Sequence, residues 1–396
     1  MTERPEPQHI RFQRPSLPNA SQIDRYLELS REARWFSNSG PCWCLLRDRL
    51  ADRVGAYCVP VASGTLGLMA ATASLRQASH DSRTSGALMP SFTFLATAQA
   101  AIWGGLQPRL IDVDPAHWHM DASRLERILR DHRGDLSLVI AVSTFGTPPP
   151  SETRLRWEHA CRSAGVPLIV DSAAAFGAVA DDGVPIGAQG DVEVVSFHAT
   201  KPFAIGEGGA VFTRDRALYE KIELAVNFGL KPDRSVAMAM GLNAKMSELH
   251  AATALAVLDE YEPILESRRR TAARIRAQAD PDITWQAGCE RSTWQFVPVV
   301  FPDADHRRRA EGWCGDLVEV RTYYEPLHLM EPFGGYPVLD GGLACTEELC
   351  DRVLCLPMAN DLSDEEILAI GAIVGADQRG SNVSVYGAAD PSDLIA

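Results

Sequence analysis

At 396 residues the chain is longer than one ordinary core requires, and its 46% hydrophobic and 23% charged content excludes a disordered or fibrous protein. A formal net charge of −14 argues against general attraction to nucleic acid or anionic membranes and directs attention to small-molecule partners. The longest apolar runs, around Leu136–Val142 and Val166–Val170, are too short to span a bilayer. The N-terminus carries Arg, Glu and Pro where a signal sequence would be apolar, so a cytoplasmic protein is expected.

Residues 1–18, rich in Pro, Arg and Gln, and residues 380–396, rich in Gly, Ser, Asp and Ala, read as flexible ends. The nine cysteines have no regular spacing and are expected to be reduced. Cys42 and Cys44 lack a neighbouring Cys or His cluster, so they read as buried or half-buried thiols, and no metal site is expected. Ala62-Ser63-Gly64-Thr65-Leu66-Gly67-Leu68 is a small, flexible turn followed by a helix-like apolar pattern. Its amides and the Thr65 hydroxyl suit a phosphate, while an ordinary capped turn is the competing reading.

Six short apolar runs follow as candidate strands: Ala87–Pro90, Arg109–Val113, Leu138–Val142, Leu168–Asp171, Val192–Ser196 and Ala210–Thr213. They alternate with helical patterns, which predicts a mainly parallel α/β sheet covered on both faces, with ligands collecting at the carboxyl ends of its strands. Three of those ends carry chemistry: Phe92 and Phe94, Asp171, and Ser196 with Lys201.

Asp171 precedes the small residues Ser172 to Ala175, which leave room for a planar ring whose nitrogen the carboxylate can keep protonated; a helix N-cap is the alternative. Lys201 lies between Ser196 and the Gly206-Glu207-Gly208-Gly209 turn, where a buried amine can attack an aldehyde and an exposed one is only a loop lysine. His198 beside it suits packing or hydrogen bonding. A helix is expected from Ser247, as its cap, through Leu258 until Pro263 interrupts or kinks it. Arg268, Arg269 and Arg270 continue the helical pattern and read as a solvated face.

Taken together, these motifs resemble the DegT/DnrJ/EryC1/StrS sugar aminotransferases, from about Arg34 to Gly375. The resemblance is carried by Ser63-Gly64-Thr65, Pro90 to Ala98, Asp112-Val113-Asp114-Pro115, Ser196 to Gly209, Asn243 to Leu249 and Leu356-Pro357-Met358. It implies the aspartate-aminotransferase-like fold type I of pyridoxal 5'-phosphate (PLP) enzymes: a mainly parallel seven-stranded sheet with helices on both faces. A large PLP-binding domain would span 19–246, with a linking helix and smaller C-terminal α/β domain at 247–379.

The resemblance also implies site roles. Lys201 forms the Schiff base and serves as general base, Asp171 pairs with the pyridine nitrogen, and Phe94 stacks on the ring. Gly64, Thr65, Leu66 and Ser196 hold the phosphate, joined by Asn243 from a neighbouring subunit, which implies a homodimer with shared active sites. Tyr323, Tyr324 and His328, with His198, are candidates for contacting the substrate. Three departures are visible: Ala174 stands where many relatives have Gln near the cofactor's phenolic oxygen, and Phe176 and Phe228 stand where His is common.

The implied activity is ping-pong transamination from L-glutamate to a nucleotide-linked keto-deoxysugar. A keto-cyclitol acceptor, a PLP-dependent sugar dehydratase and a non-catalytic regulatory protein are the alternatives. Lysine at position 201 favours transamination, since the dehydratases carry His there, and no DNA-binding module is apparent.

Overall fold

The computed structural model describes residues 9–75, 86–132, 134–315 and 317–375. The expected tail at 380–396 and the first part of the N-terminal stretch, 1–8, lie outside the described residues. One sheet contains β1 (Tyr57–Val61), β2 (Gly86–Pro90), β3 (Gln107–Ile111), β4 (Leu136–Val142), β5 (Leu168–Asp171), β6 (Val192–Ser196) and β7 (Gly209–Thr213). Its order is β1-β7-β6-β5-β4-β2-β3. Only β7 runs antiparallel to its neighbours, β1 and β6. The expected mainly parallel, seven-stranded sheet is therefore present.

Continuous apolar runs make strands that can be buried on both faces. Successive side chains alternate across the sheet, so Met89 and Ile169 enter one core while Leu88 and Val170 enter the other. Helices α1 (Ala20–Ala33), α2 (Pro41–Val54), α3 (Gly64–Leu75), α4 (Leu95–Trp103), α5 (Ala122–Asp131), α6 (Ser151–Ala164) and α7 (Arg216–Val226) accompany these strands. Leu46, Leu50 and Leu68 fill the first core, and Leu125, Ile128 and Trp157 the second.

Two helices, α8 (Glu248–Asp259) and α9 (Tyr261–Arg276), follow the sheet. Ser247 caps α8 as expected, accepting from the His250 amide at 3.3 Å. The break, however, falls at Glu260, before Pro263. Pro263 sits in the first turn of α9, where its missing N–H is not needed, so it neither interrupts nor kinks the helix. The buried Glu248 carboxylate ties α8 to α2 by accepting from the Cys42 and Trp43 amides at 2.7 and 3.1 Å. A carboxylate at that helix N-terminus meets the positive end of its dipole.

A smaller core surrounds the antiparallel pair β8 (Val297–Val300) and β9 (Val353–Leu356). It includes Ile275 of α9 and residues of α10 (Ala304–Cys314). The chain then forms α11 (Ala344–Arg352) and α12 (Asp364–Ala372), and Ile370 of α12 joins the same core. Arg268 departs from the expected solvated face: it is buried, and its guanidinium donates to Asn360 Oδ1 and the Trp294 carbonyl, both at 2.8 Å. Arg270 does face solvent, paired with Glu266.

The described part of the N-terminal stretch is packed. The Ile10 amide donates to the Leu317 carbonyl at 2.8 Å, Phe12 packs on Phe296, and Arg14 forms a two-point pair with Glu366. All nine cysteines are free; Cys42 is buried and Cys44 half-buried. No helix among the described residues is long and apolar enough to cross a membrane.

Candidate active site

β5 and β6 run parallel with Asp171 opposite Val194, so Asp171 and Ser196 leave the sheet at the same edge. Beyond Ser196, backbone bonds from Phe197 to the Gly208 carbonyl and from Ala199 to the Gly206 carbonyl fold residues 197–208 back on themselves. Phe197 and Phe203 are buried beneath this turn, and Gly206 supplies its positive φ of 97°. The turn delivers Lys201 to a cleft of about 680 Å³ that Asp171 also lines.

Lys201 Nζ donates to Gln295 Oε1 at 3.1 Å. Removal from water pushes the lysine pKa down to about 8, against the opposing pull of the Asp171 carboxylate. Burial pushes Asp171 upward, opposed by hydrogen bonds from the Thr97 hydroxyl and the Ala173 amide and by the Lys201 charge. Those two bonds measure 2.7 and 3.2 Å. The site thus contains, among the described residues, a carboxylate without a hydrogen-bonded cation and an amine more readily deprotonated to its nucleophilic form than an ordinary lysine.

The Ser63-Gly64-Thr65 turn stands at the start of α3, whose opening amides have no carbonyl of their own helix to meet. Ser63 Oγ accepts from the Leu66 amide at 3.2 Å, closing the turn. A Cβ added to Gly64 would lie 2.8 Å from Ser196 Cβ, so glycine lets α3 approach the end of β6. Helix dipole, unmatched amides and two hydroxyl residues form an anion cradle at one end of the cleft. The cradle, Asp171 and Lys201 fit a ligand with a phosphate, a ring nitrogen that gains from a proton, and an aldehyde.

Gly64, Thr65, Leu66, Phe94, Ala174, Ser196 and His198 all line this cleft with Lys201 and Asp171. Phe94 is 53% exposed, leaving ring surface uncovered. His198 Nδ1 lies 2.9 Å from Thr200 Oγ1. Tyr323 and Tyr324 also line the cleft while packing internally: Tyr323 stacks on Phe296 at 5.6 Å and Tyr324 on Phe145 at 4.9 Å.

Two expected site residues lie elsewhere in the subunit. His328 is not among the residues lining the cleft; its ring is held by Ser91 Oγ at 2.8 Å and Glu347 Oε1 at 3.2 Å. Asn243 is exposed, and its Oδ1 accepts from Lys245 Nζ at 2.6 Å. Phe176, where relatives often have His, stacks on Tyr261 behind the site and accepts its hydroxyl at the main-chain carbonyl. Phe228 is 50% exposed, with Lys245 Nζ 4.3 Å from its ring centre.

Sequence reasoning missed Thr97 and Gln295. The spacing of Thr93 and Thr97, one helical turn apart at the start of α4, is the signal for the first. Gln295 has no motif around it.

The model of the DegT/DnrJ/EryC1/StrS aminotransferase family matches residues 19–375. Protein Rv3402c of Mycobacterium tuberculosis is 32% identical over 384 residues, covering 94% of this chain and 91% of the relative. The dTDP-4-amino-4,6-dideoxy-D-glucose transaminase of Shigella dysenteriae is 28% identical, covering 89% of this chain and 94% of its own length. Among solved structures, DesI in the presence of its TDP-sugar product superposes with a TM-score of 0.82 at 30% identity, covering 92% of both chains. With the mainly parallel sheet and the converging Lys201 and Asp171, these matches establish that the chain belongs to the DegT/DnrJ/EryC1/StrS family of PLP-dependent, fold type I sugar aminotransferases.

Proposed function

We propose that the protein moves an amino group from L-glutamate to a nucleotide-linked keto-deoxysugar, with Lys201 and Asp171 as its central residues. The observation that carries this reading is the Lys201 amine, driven toward neutrality in the same cleft as the buried Asp171 carboxylate. The acceptor class is supported by the Shigella relative and by the TDP-sugar product named for DesI. A cleft of about 680 Å³ has room for more than a cofactor alone.

When bound, PLP supplies an aldehyde that exchanges amines and a ring that draws electrons from the carbon being deprotonated. The Ser63-Gly64-Thr65 turn and Ser196 hold its phosphate, Phe94 offers a stacking surface, and Asp171 holds a proton at the ring nitrogen. The carboxylate thereby gains the neighbouring cation that its burial demands. With the cofactor held there, Lys201 would be the residue that joins it, and its freed amine would act as the base that takes the proton from the donor's α-carbon. Its lowered pKa of about 8 gives it a larger share of the base form near neutral pH than an ordinary lysine has. The keto acceptor would be aminated in a second half-reaction, so the expected kinetics are ping-pong.

Asn243 lies outside its own subunit's cleft, and we assign it to the phosphate of a partner subunit in a homodimer. The decisive experiment loads the purified protein with PLP, adds L-glutamate, and then screens nucleotide-linked keto sugars and keto-cyclitols. Loss of the PLP absorbance with glutamate and its return with a nucleotide-linked keto sugar support the reading. Return only with a keto-cyclitol overturns the acceptor, and no loss with glutamate overturns the donor.

A further inference from the structure

Gln295 belongs to the segment entering β8, yet its side chain reaches the amine at the centre of the cleft. It is 7% exposed, and its Oε1 accepts from Lys201 Nζ at 3.1 Å. An amide oxygen used in this way leaves an NH2 group with two donors. Among the described residues Nε2 has no hydrogen-bond partner, although Gln295 lines the cleft. Facing the cleft, that donor is free to meet a bound ligand beside the nucleophilic nitrogen.

The surrounding backbone fixes this placement. Arg268 Nη1 donates to the Trp294 carbonyl at 2.8 Å and reaches the Gln295 carbonyl at 3.5 Å. Thr293 Oγ1 donates to the Ala174 carbonyl at 2.5 Å, and the Thr293 amide donates to the Gly146 carbonyl at 3.3 Å. Residues 293–295 are thus held against the segment following Asp171, while the short side chain of Ala174 leaves space in the cleft. The buried Arg268 thus has one guanidinium nitrogen, Nη1, committed to the segment that carries Gln295.

PLP carries a ring oxygen ortho to its aldehyde carbon, so that oxygen stays close to whichever nitrogen joins the carbon. A donor on the same amide group that meets Lys201 Nζ is therefore well placed for the oxygen as well. We propose that Gln295 is a catalytic residue: its Oε1 receives the free Lys201 amine, and its Nε2 donates to the ring oxygen of bound PLP. This rests on Lys201 being the residue that joins PLP.

The test uses Gln295→Leu, which removes both functions, and Gln295→Glu, which keeps the size and an acceptor but replaces the donor. In the cofactor-free full chain, the rate of covalent PLP attachment is measured against pH. An acceptor favours the charged amine, so its loss in Gln295→Leu moves the half-maximal pH down, while the carboxylate of Gln295→Glu moves it up. The other titratable groups lining the cleft, Asp171, His198, Glu207, Tyr323 and Tyr324, are the same in both variants.

In the PLP-loaded enzyme, loss of the donor moves the pH midpoint of the cofactor's visible absorbance change upward in Gln295→Leu. Its kcat falls roughly ten- to hundredfold, the range for losing a hydrogen bond to charge developed in a buried site. Opposite displacements of the attachment midpoint separate contact with the amine from a structural role. The isosteric Gln295→Glu remains informative if the leucine variant does not fold. Unchanged midpoints with the reduced adduct mapping to Lys201 overturn the role of Gln295; an adduct on another lysine overturns the reading of Lys201 itself.

Discussion

Thr97 Oγ1 donates to Asp171 Oδ2 at 2.7 Å, and Thr93 Oγ1 stands 2.9 Å behind it. A hydroxyl has one proton, so with Thr97 committed to the carboxylate, Thr93 is the donor to Thr97. The resulting chain of two hydroxyls aims a donor at the residue assigned to the ring nitrogen, and chains of this kind polarise one another.

Thr97→Val removes the donor with little change of volume. The Thr97 hydrogen bond opposes the upward push of burial on Asp171, so its loss raises the pKa further. A carboxyl protonated at higher pH cannot hold the ring proton, and the acid limb of the kcat/KM profile moves to higher pH. The glutamate half-reaction slows roughly tenfold or more, the scale of a hydrogen bond to a charged group. Stopped-flow spectra across pH measure both effects, with Thr97→Ser restoring them; an unmoved acid limb in Thr97→Val refutes this role.

Lys201 gives a pH prediction with a definite sign. Its pKa falls from 10.5 to about 8 in the folded chain. Between those values the unfolded chain binds more protons at this site, so the lysine costs stability fully below about pH 8 and progressively less as pH rises toward 10.5. Urea unfolding of the cofactor-free protein should gain stability over that interval relative to Lys201→Met, in which this dependence is absent. Equal pH profiles for the two proteins would show that the amine is not depressed.

Attachment of PLP follows the same titration from the other side. The neutral amine reacts, so the rate rises with pH and is half-maximal near pH 8. An ordinary lysine would be roughly a hundredfold less deprotonated at that pH. Borohydride reduction and peptide mass spectrometry then place the adduct on Lys201, and Lys201→Ala loses both adduct and turnover.

The parts of this fold that were legible in the sequence are those where an apolar run ends in a polar residue. Leu168–Asp171 and Val192–Ser196 were recognised with their observed bounds because both strands are buried and stop at residues that face the cleft. β1 was missed: Pro60 within Tyr57–Val61 argues against a central strand. The strand stands at the sheet edge with β7 as its neighbouring strand and Val61 bridging Lys245 at its end, and a proline is tolerated at such an edge. Lys201 and Asp171 stand out as candidates because each follows a strand-like run, but local sequence leaves each an alternative and their roles rest on the family resemblance. Gln295 was not, because its contact spans 94 positions and depends on how the smaller core closes over the sheet.

Gly64→Ala tests the phosphate cradle. The new Cβ would lie 2.8 Å from Ser196 Cβ and 3.2 Å from its Cα, so the start of α3 or the end of β6 must shift. Overpacking of this kind costs about 1–3 kcal/mol. PLP affinity, measured by fluorescence titration of the stripped protein, should weaken by roughly ten- to a hundredfold if that cost falls on the bound state. Melting of the cofactor-free variant separates loss of affinity from general destabilisation. Affinity equal to that of the wild type would remove the Gly64 turn from the phosphate site.

The assignment of Asn243 across a dimer makes a prediction that single variants cannot. In its own subunit Asn243 is absent from the cleft and accepts from Lys245 Nζ, which leaves its amide NH2 group directed by a neighbouring cation. Asn243→Asp replaces that donor with a charge that repels phosphate, and Lys201→Ala removes the attachment point. If Asn243 completes the partner's site, a heterodimer of the two variants has one site containing both defects and one containing neither. Mixing the inactive parents under conditions of verified subunit exchange should therefore restore activity approaching half that of a wild-type dimer. If Asn243 acted within its own chain, each site of the heterodimer would keep one defect and exchange would restore nothing. Differentially tagged subunits isolated as heterodimers allow the active sites to be counted by PLP reduction: the shared arrangement predicts one attached cofactor in the intact site. Exchange without recovered activity, with both parents folded, would return Asn243 to a role within its own subunit.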